Sequence, residues 1–128
     1  EGDERRAIDS IMTRLRSLVE ETGAGLILVS HLRRVDGNKG HENGVEVSLS
    51  HLRGSNSIGQ LSDCVIALER NQQSSDELEA RTTKLRVLKS RYTGDVGMAS
   101  ALVYDKDTGR LAEEDMSEFE VEENGISI

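Results

Sequence analysis

Lys89-Ser90-Arg91 closes a run in which Leu85, Val87 and Leu88 alternate with Lys84, Arg86 and Lys89. Arg91 and Lys89 put two positive charges at the end of that strand. The same pattern also describes an ordinary basic surface strand. His31 follows the apolar run Leu26–Ser30 (LILVS). A side chain at the carboxyl end of such a strand faces the crevice where ligands bind in open α/β folds; a plain surface histidine is the alternative. Arg70 ends the run Cys64-Val65-Ile66-Ala67-Leu68-Glu69-Arg70. The run delivers that charge to the edge of a sheet, where ligands bind in open α/β folds, or Arg70 pairs with Glu69. Arg33, Arg34 and Lys39 share residues 33–46 with Gly37, Gly40 and Gly44, so cations and a closely approachable backbone occur together. That stretch is otherwise a solvated loop. His41 has no partner at metal-ligand spacing and reads as exposed, and no such ligand cluster occurs in the chain.

These side chains need elements to hold them. Ile8, Ile11, Met12, Leu15, Leu18 and Val19 recur at helical spacing, which predicts a helix over Glu4–Thr22 with Gly23 as a left-handed cap and a sheet beneath it. An all-apolar strand over Leu26–Ser30 directly after a helix points to a parallel, helix-covered sheet. Cys64–Leu68 reads as a strand buried on both faces, with Cys64 a small core residue. The polar stretch from Gly54 to Asp63 reads as a loop and a short helix, Asp63 fixing a turn. Gln72–Arg81 reads as an exposed turn. Strands are expected over Thr83–Ser90 and Gly97–Tyr104, and Asp105-Lys106-Asp107-Thr108-Gly109 is a strong hairpin turn.

The composition bounds the rest. The 128 residues carry a formal net charge of −8, with one Cys, no Trp, no Pro and 2% aromatic residues, a thin supply for an independent core. Residues 113–128 hold seven acids and no base, which leaves residues 1–112 at −1. The acidity therefore belongs to the tail, which reads as disordered, and does not argue against a local basic patch binding nucleic acid. Every apolar run is too short to cross a membrane, and a soluble, cytoplasmic setting is expected.

In series, LILVSHLRR (Leu26–Arg34), LRGS (Leu52–Ser55), QLSDCVIALERNQQ (Gln60–Gln73), LRVLKSRYTGDVG (Leu85–Gly97) and ALVYDKDTGRL (Ala101–Leu111) resemble the C-terminal motor domain of replicative ring helicases. The likeness is strongest to the primase–helicases of T-seven-like podoviruses, and it covers most of residues 1–112. It implies an α/β fold, part of a RecA-like P-loop NTPase core with a mixed, mostly parallel sheet, covering helices and a C-terminal β-hairpin. It further implies two parts, a motor segment over residues 1–112 and the tail over 113–128. Site roles follow residue by residue. Arg91 matches the arginine finger that reaches a neighbouring protomer's nucleotide. His31 matches the γ-phosphate sensor, and Gln60 a nearby amide that relays nucleotide state. Arg70 and Tyr104 match the pair that holds the base, and Lys89, two residues before Arg91, is expected to meet the nucleotide as a second positive charge. Arg33, Arg34, Lys39, Arg53 and Gly54 match DNA-contacting positions, although Gly37 stands where that pattern has a base. The implied partners are single-stranded DNA, a nucleoside triphosphate (ATP or dTTP) with Mg2+, and five further copies in a hexameric ring. The acidic tail implies a replicative polymerase as a partner, although it ends in Ile128 rather than an aromatic residue.

No GxxxxGK[ST] phosphate loop, Mg2+-binding strand end or catalytic Glu occurs in the chain. In the family these come earlier, so the chain reads as a fragment that neither binds nor turns over nucleotide alone. Two other readings stand beside the helicase. One is a recombinase-type or clock-type RecA ATPase; the other is a non-enzymatic DNA-binding or polymerase-docking module.

Overall fold

The computed structural model describes residues 2–33, 40–52 and 56–114. Helix α1 (Gly2–Thr22) starts on Asp3 and Glu4, whose charges complement the helix dipole. It stops at Gly23, which adopts φ +70° and donates its amide to the Val19 carbonyl at 2.9 Å. That left-handed conformation is the reason glycine suits the cap. The expected helix and its cap are therefore present.

Its expected role as a lid on the sheet is not. The main neighbour of α1 is the short helix α2 (Ser57–Leu61). Met12 is buried, but Ile11 and Leu18 stay more than half exposed. Between α1, residues 24–28 and the start of the first strand lies a hollow of about 670 Å³, lined in part by Leu15, Val19, Leu26, Leu28 and Leu61.

The sheet is four-stranded and antiparallel throughout, in the order β1 (Cys64–Arg70), β2 (Thr82–Ser90), β3 (Gly97–Tyr104), β4 (Leu111–Glu113). This corrects the expectation of a mostly parallel sheet. Parallel neighbours need a crossover of roughly a dozen or more residues, whereas residues 91–96 and 105–110 are short direct connections. The β3–β4 pair is the expected C-terminal hairpin. The link between β1 and β2 holds a one-turn helix, α3 (Glu77–Ala80), where a plain turn was expected; Asp76 caps it by accepting from the Leu78 amide at 3.0 Å.

Residues 26–30 form no strand. Ile27 and Val29 are 94% and 86% exposed, and β1 already pairs with β2 on its one bonded edge. An apolar run becomes a strand only where a neighbour accepts its ladder, and no described residue pairs with this segment. What does pair is the next step along: Leu32 and Leu52 form an isolated antiparallel bridge.

Strand β1 is likewise buried on one face only. Ala67 and Glu69 point inward, while Cys64, Ile66, Leu68 and Arg70 alternate outward. Cys64 is thus exposed, contrary to its expected core position. The interior is small, as the composition suggested: among the described residues Met12, Val47, Ala67 and Ala101 are the buried apolar ones, joined by Glu69, Thr82 and Arg86.

Candidate functional site

The corner between α2 and β1 gathers most of the candidate phosphate-facing residues. Pairing of Val65 with Lys89 and of Cys64 with Ser90 brings the end of β2 against the turn that leaves α2. Lys89 Nζ donates to the carbonyls of Gly59 (2.8 Å) and Gln60 (3.0 Å). Arg91 donates through one terminal nitrogen to the same Gln60 carbonyl (3.1 Å) and through the other to Asp63 Oδ1 (2.7 Å). Its amide also donates to the Asp63 carbonyl at 2.8 Å. The second Asp63 oxygen accepts from Arg16 of α1 at 2.8 Å. That Arg16 contact, more than any other, holds the Asp63 carboxyl below the usual carboxylate range; partial desolvation opposes it and Arg91 adds to it. Arg16 is raised in turn, chiefly by Asp63. The Arg91 side chain remains 40% exposed, so its outward hydrogens face solvent. Gln60 is exposed as well.

Arg70 and Tyr104 lie at the opposite end of the sheet. Arg70 pairs with Thr83, and Thr83 pairs with Leu102, two positions before Tyr104. With side chains alternating along a strand, Arg70 and Tyr104 share one face, two strands apart. Tyr104 is 40% exposed, and Arg81 donates to its carbonyl at 3.4 Å. Arg70 contacts Gln72 at 3.2 Å rather than Glu69. The strand-end pair offered as the alternative for Arg70 is therefore not formed. Glu69 turns inward and meets Arg86 at 2.8 Å.

His31 is exposed and lines a hollow of about 310 Å³ with the first half of α1 and Ile58, two positions before Gln60. Neither His31 nor Arg91 is enclosed in an apolar interior. Arg33 sits just past the Leu32–Leu52 bridge, its amide donating to the His51 carbonyl (2.8 Å) and its Nε to that of Ser50 (2.6 Å). Arg34, Lys39, Arg53 and Gly54 lie outside the described residues.

The far root of the loop is tied to the sheet. The Val47 amide donates to Glu69 Oε2 at 2.7 Å, and the same oxygen accepts from Arg86 Nε. Asn43 bridges to Asn71. Gly44, at φ +82°, passes so close that a Cβ would meet that of Asn71 at 2.9 Å. His41 is half-buried rather than exposed, its ring edge-on to His51 at 5.2 Å.

Two residues thus gain a place that their sequence context did not suggest. Asp63 looked like a turn residue and holds two arginines; Glu69 looked like half of an exposed charged pair and anchors a loop. The period-2 alternation of β1 could have flagged Glu69 as inward, since it shares the parity of Ala67. No local signal marks Asp63, because Arg16 and Arg91 are far from it in sequence.

Residues 1–113 match the family described as DnaB-like helicase C-terminal domain. The chain is also 44% identical over 111 residues to the DNA helicase/primase of Enterobacteria phage T3, a match that covers 87% of this chain and 19% of that protein. It therefore spans about a fifth of the length of the curated relative it matches. The matching helicase domain is RecA-like, so the antiparallel sheet described above is one part of an α/β architecture. On these matches, the chain belongs to the DnaB-like helicase C-terminal domain family.

Proposed function

We propose that this chain is the part of a ring-forming replicative DNA helicase, of the phage primase–helicase kind, that carries the trans-acting arginine, the γ-phosphate sensor and DNA-facing loops. The observation that carries the reading is the corner around Arg91. Two cations are fixed from the inside by carbonyls and a carboxylate, and the Arg91 side chain keeps a face open to an anion from outside the chain. A guanidinium held this way meets the charge that develops on a transferring phosphoryl group with little reorganisation. Arg91 thus acts on the nucleotide of an adjacent protomer in a homohexamer, and Lys89 supports it.

His31 donates to the γ-phosphate bound by its own protomer and loses that partner on hydrolysis. Gln60 reports the change through α2 toward Arg53 and Gly54. Arg70 and Tyr104, on one face of the sheet, hold the base. Arg33, Arg34 and Lys39 grip the phosphates of single-stranded DNA as the ring moves 5′ to 3′. The Mg2+ that accompanies ATP or dTTP is proposed to be held mainly by other residues of the full-length protein. No helix of the described residues is long and apolar enough to cross a membrane; the host cytoplasm is the proposed setting. Residues 1–112 are the motor segment, and the acidic tail over 113–128 is proposed to dock a replicative polymerase.

The test mixes two full-length variants, each defective on its own. R91A protomers are combined with protomers whose own phosphate loop is inactivated, and nucleotide turnover is measured with single-stranded DNA present. Mixed rings should recover part of the activity, because an intact Arg91 then faces an intact nucleotide site. No recovery in rings shown to be mixed, or normal turnover by R91A alone, would refute the assignment.

A further inference from the structure

Asp63 belongs to no role assigned above, and yet its carboxylate is divided between two distant parts of the chain. Oδ2 faces Arg16 of α1 at 2.8 Å, and Oδ1 faces Arg91 at 2.7 Å. The Asp63 carbonyl also receives the Arg91 amide at 2.8 Å, so one residue grips both backbone and side chain of the same arginine. The Gln60 carbonyl completes the cradle at 3.1 Å. We propose that Asp63 is a positioning residue for Arg91: it sets the guanidinium plane so that the outward hydrogens are presented to the neighbouring nucleotide. The inference rests on the reading of Arg91 as the trans-acting arginine.

The physical case is one of order. An arginine side chain on an exposed strand end has many rotamers, and only a narrow subset can point two N–H groups at a phosphate. Each terminal nitrogen carries two hydrogens, and the cradle uses one from each. The remaining hydrogens stay free to donate, so the carboxylate need not be abandoned for the phosphate to be met. Arg16 serves a different end. It neutralises the carboxylate's second oxygen and ties the corner to α1, without touching Arg91 itself. The two oxygens thereby separate an orienting contact from a scaffolding one, and the two can be tested apart.

The experiment uses the full-length helicase with single-stranded DNA and measures kcat and KM for nucleotide separately. D63N should lower kcat about tenfold, the scale expected when a catalytic group loses its orientation, with KM little changed and ring assembly intact by sedimentation. In an R91A background, followed by release of radiolabelled phosphate, D63N should cause no further loss, because its effect passes through Arg91. R16A should leave kcat within about twofold, because it removes a half-buried ion pair to α1 and spares the contact that orients Arg91. Equal fractional losses from D63N in the wild-type and R91A backgrounds would make Asp63 a structural residue and overturn the proposal. So would unchanged kcat in D63N while R91A is inactive, an outcome that leaves the role of Arg91 standing. Normal turnover by R91A would instead remove the reading on which the proposal rests.

Discussion

Replacing Glu69 by Gln deletes one charge from the interior of the sheet while preserving its shape. The Glu69 side chain is 3% exposed and that of Arg86 10%. One carboxylate oxygen accepts two donors, the Val47 amide at 2.7 Å and Arg86 Nε at 2.8 Å. A glutamine can offer its single carbonyl oxygen to that spot, but without the charge, and turned the other way its amide would set donor against donor. A hydrogen bond to a charged group contributes about 1.5–3 kcal/mol. Arg86 keeps a longer contact to Glu46 at 3.5 Å, but that carboxylate is 69% exposed and screened by water, so it compensates little. The Val47 amide is thus expected to lose about 1.5–3 kcal/mol of protection, an acceleration of exchange of roughly ten- to a hundredfold. Hydrogen–deuterium exchange on the full-length protein, reading peptides over residues 40–52 with residues 97–104 as the internal reference, measures this directly. A companion pair sharpens the outcome. E69M leaves a buried cation without its main counter-charge, whereas E69M with R86M removes both, so the double variant should be less disturbed than the single one. Unchanged exchange over residues 40–52 in E69Q would refute the anchoring role of the carboxylate.

G44A should raise exchange over residues 40–47 as well, because an added Cβ meets that of Asn71 at 2.9 Å and must adopt φ +82°; a cost of about 1–3 kcal/mol is expected, and unaltered exchange would contradict the close approach. The Asp63 carboxyl is lowered from its ordinary value of 3.8, first by Arg16 and less by Arg91. Stability from its ion contacts is therefore present above that ordinary value and is lost as the pH falls through the depressed folded value. In a carboxyl carbon-13 titration, R16A should move the midpoint upward further than R91A does, and the reverse order would contradict the assignment of cause. Ile27, Val29, Ile66 and Leu68 leave apolar surface open on the 128-residue chain. That chain should self-associate as its concentration rises, and I27K with V29K should reduce the association by light scattering; equal scattering would show that the contact lies elsewhere.

Much of the architecture is legible in the sequence wherever the governing interaction is local. The apolar stripe of α1 and its Gly23 cap depend on spacing within one helix. The hairpin at residues 105–109 depends on turn chemistry, and the polar run ahead of β1 holds the short helix α2 that it suggested. Strand β2 shows in its alternation of apolar and basic residues. The series of motifs also sufficed to indicate the family, because each short string keeps its order and spacing whatever the packing around it.

Other features depend on which segments meet, and no local pattern carries that information. Residues 26–30 have the composition of a buried strand, yet without a neighbour to bond their backbone they form no strand, and residues 26–29 stay exposed. The antiparallel order of the sheet follows from short connections rather than from apolar content. Cys64 looked like core and lies outward, because one face of β1 has no covering layer. Asp63 and Glu69 show this most clearly. Each carboxylate is defined by arginines from other elements, Arg16 and Arg91 for one and Arg86 for the other. A side chain's type tells what it can bind, but its partner is chosen only when the chain folds and brings distant donors within about 3 Å of it.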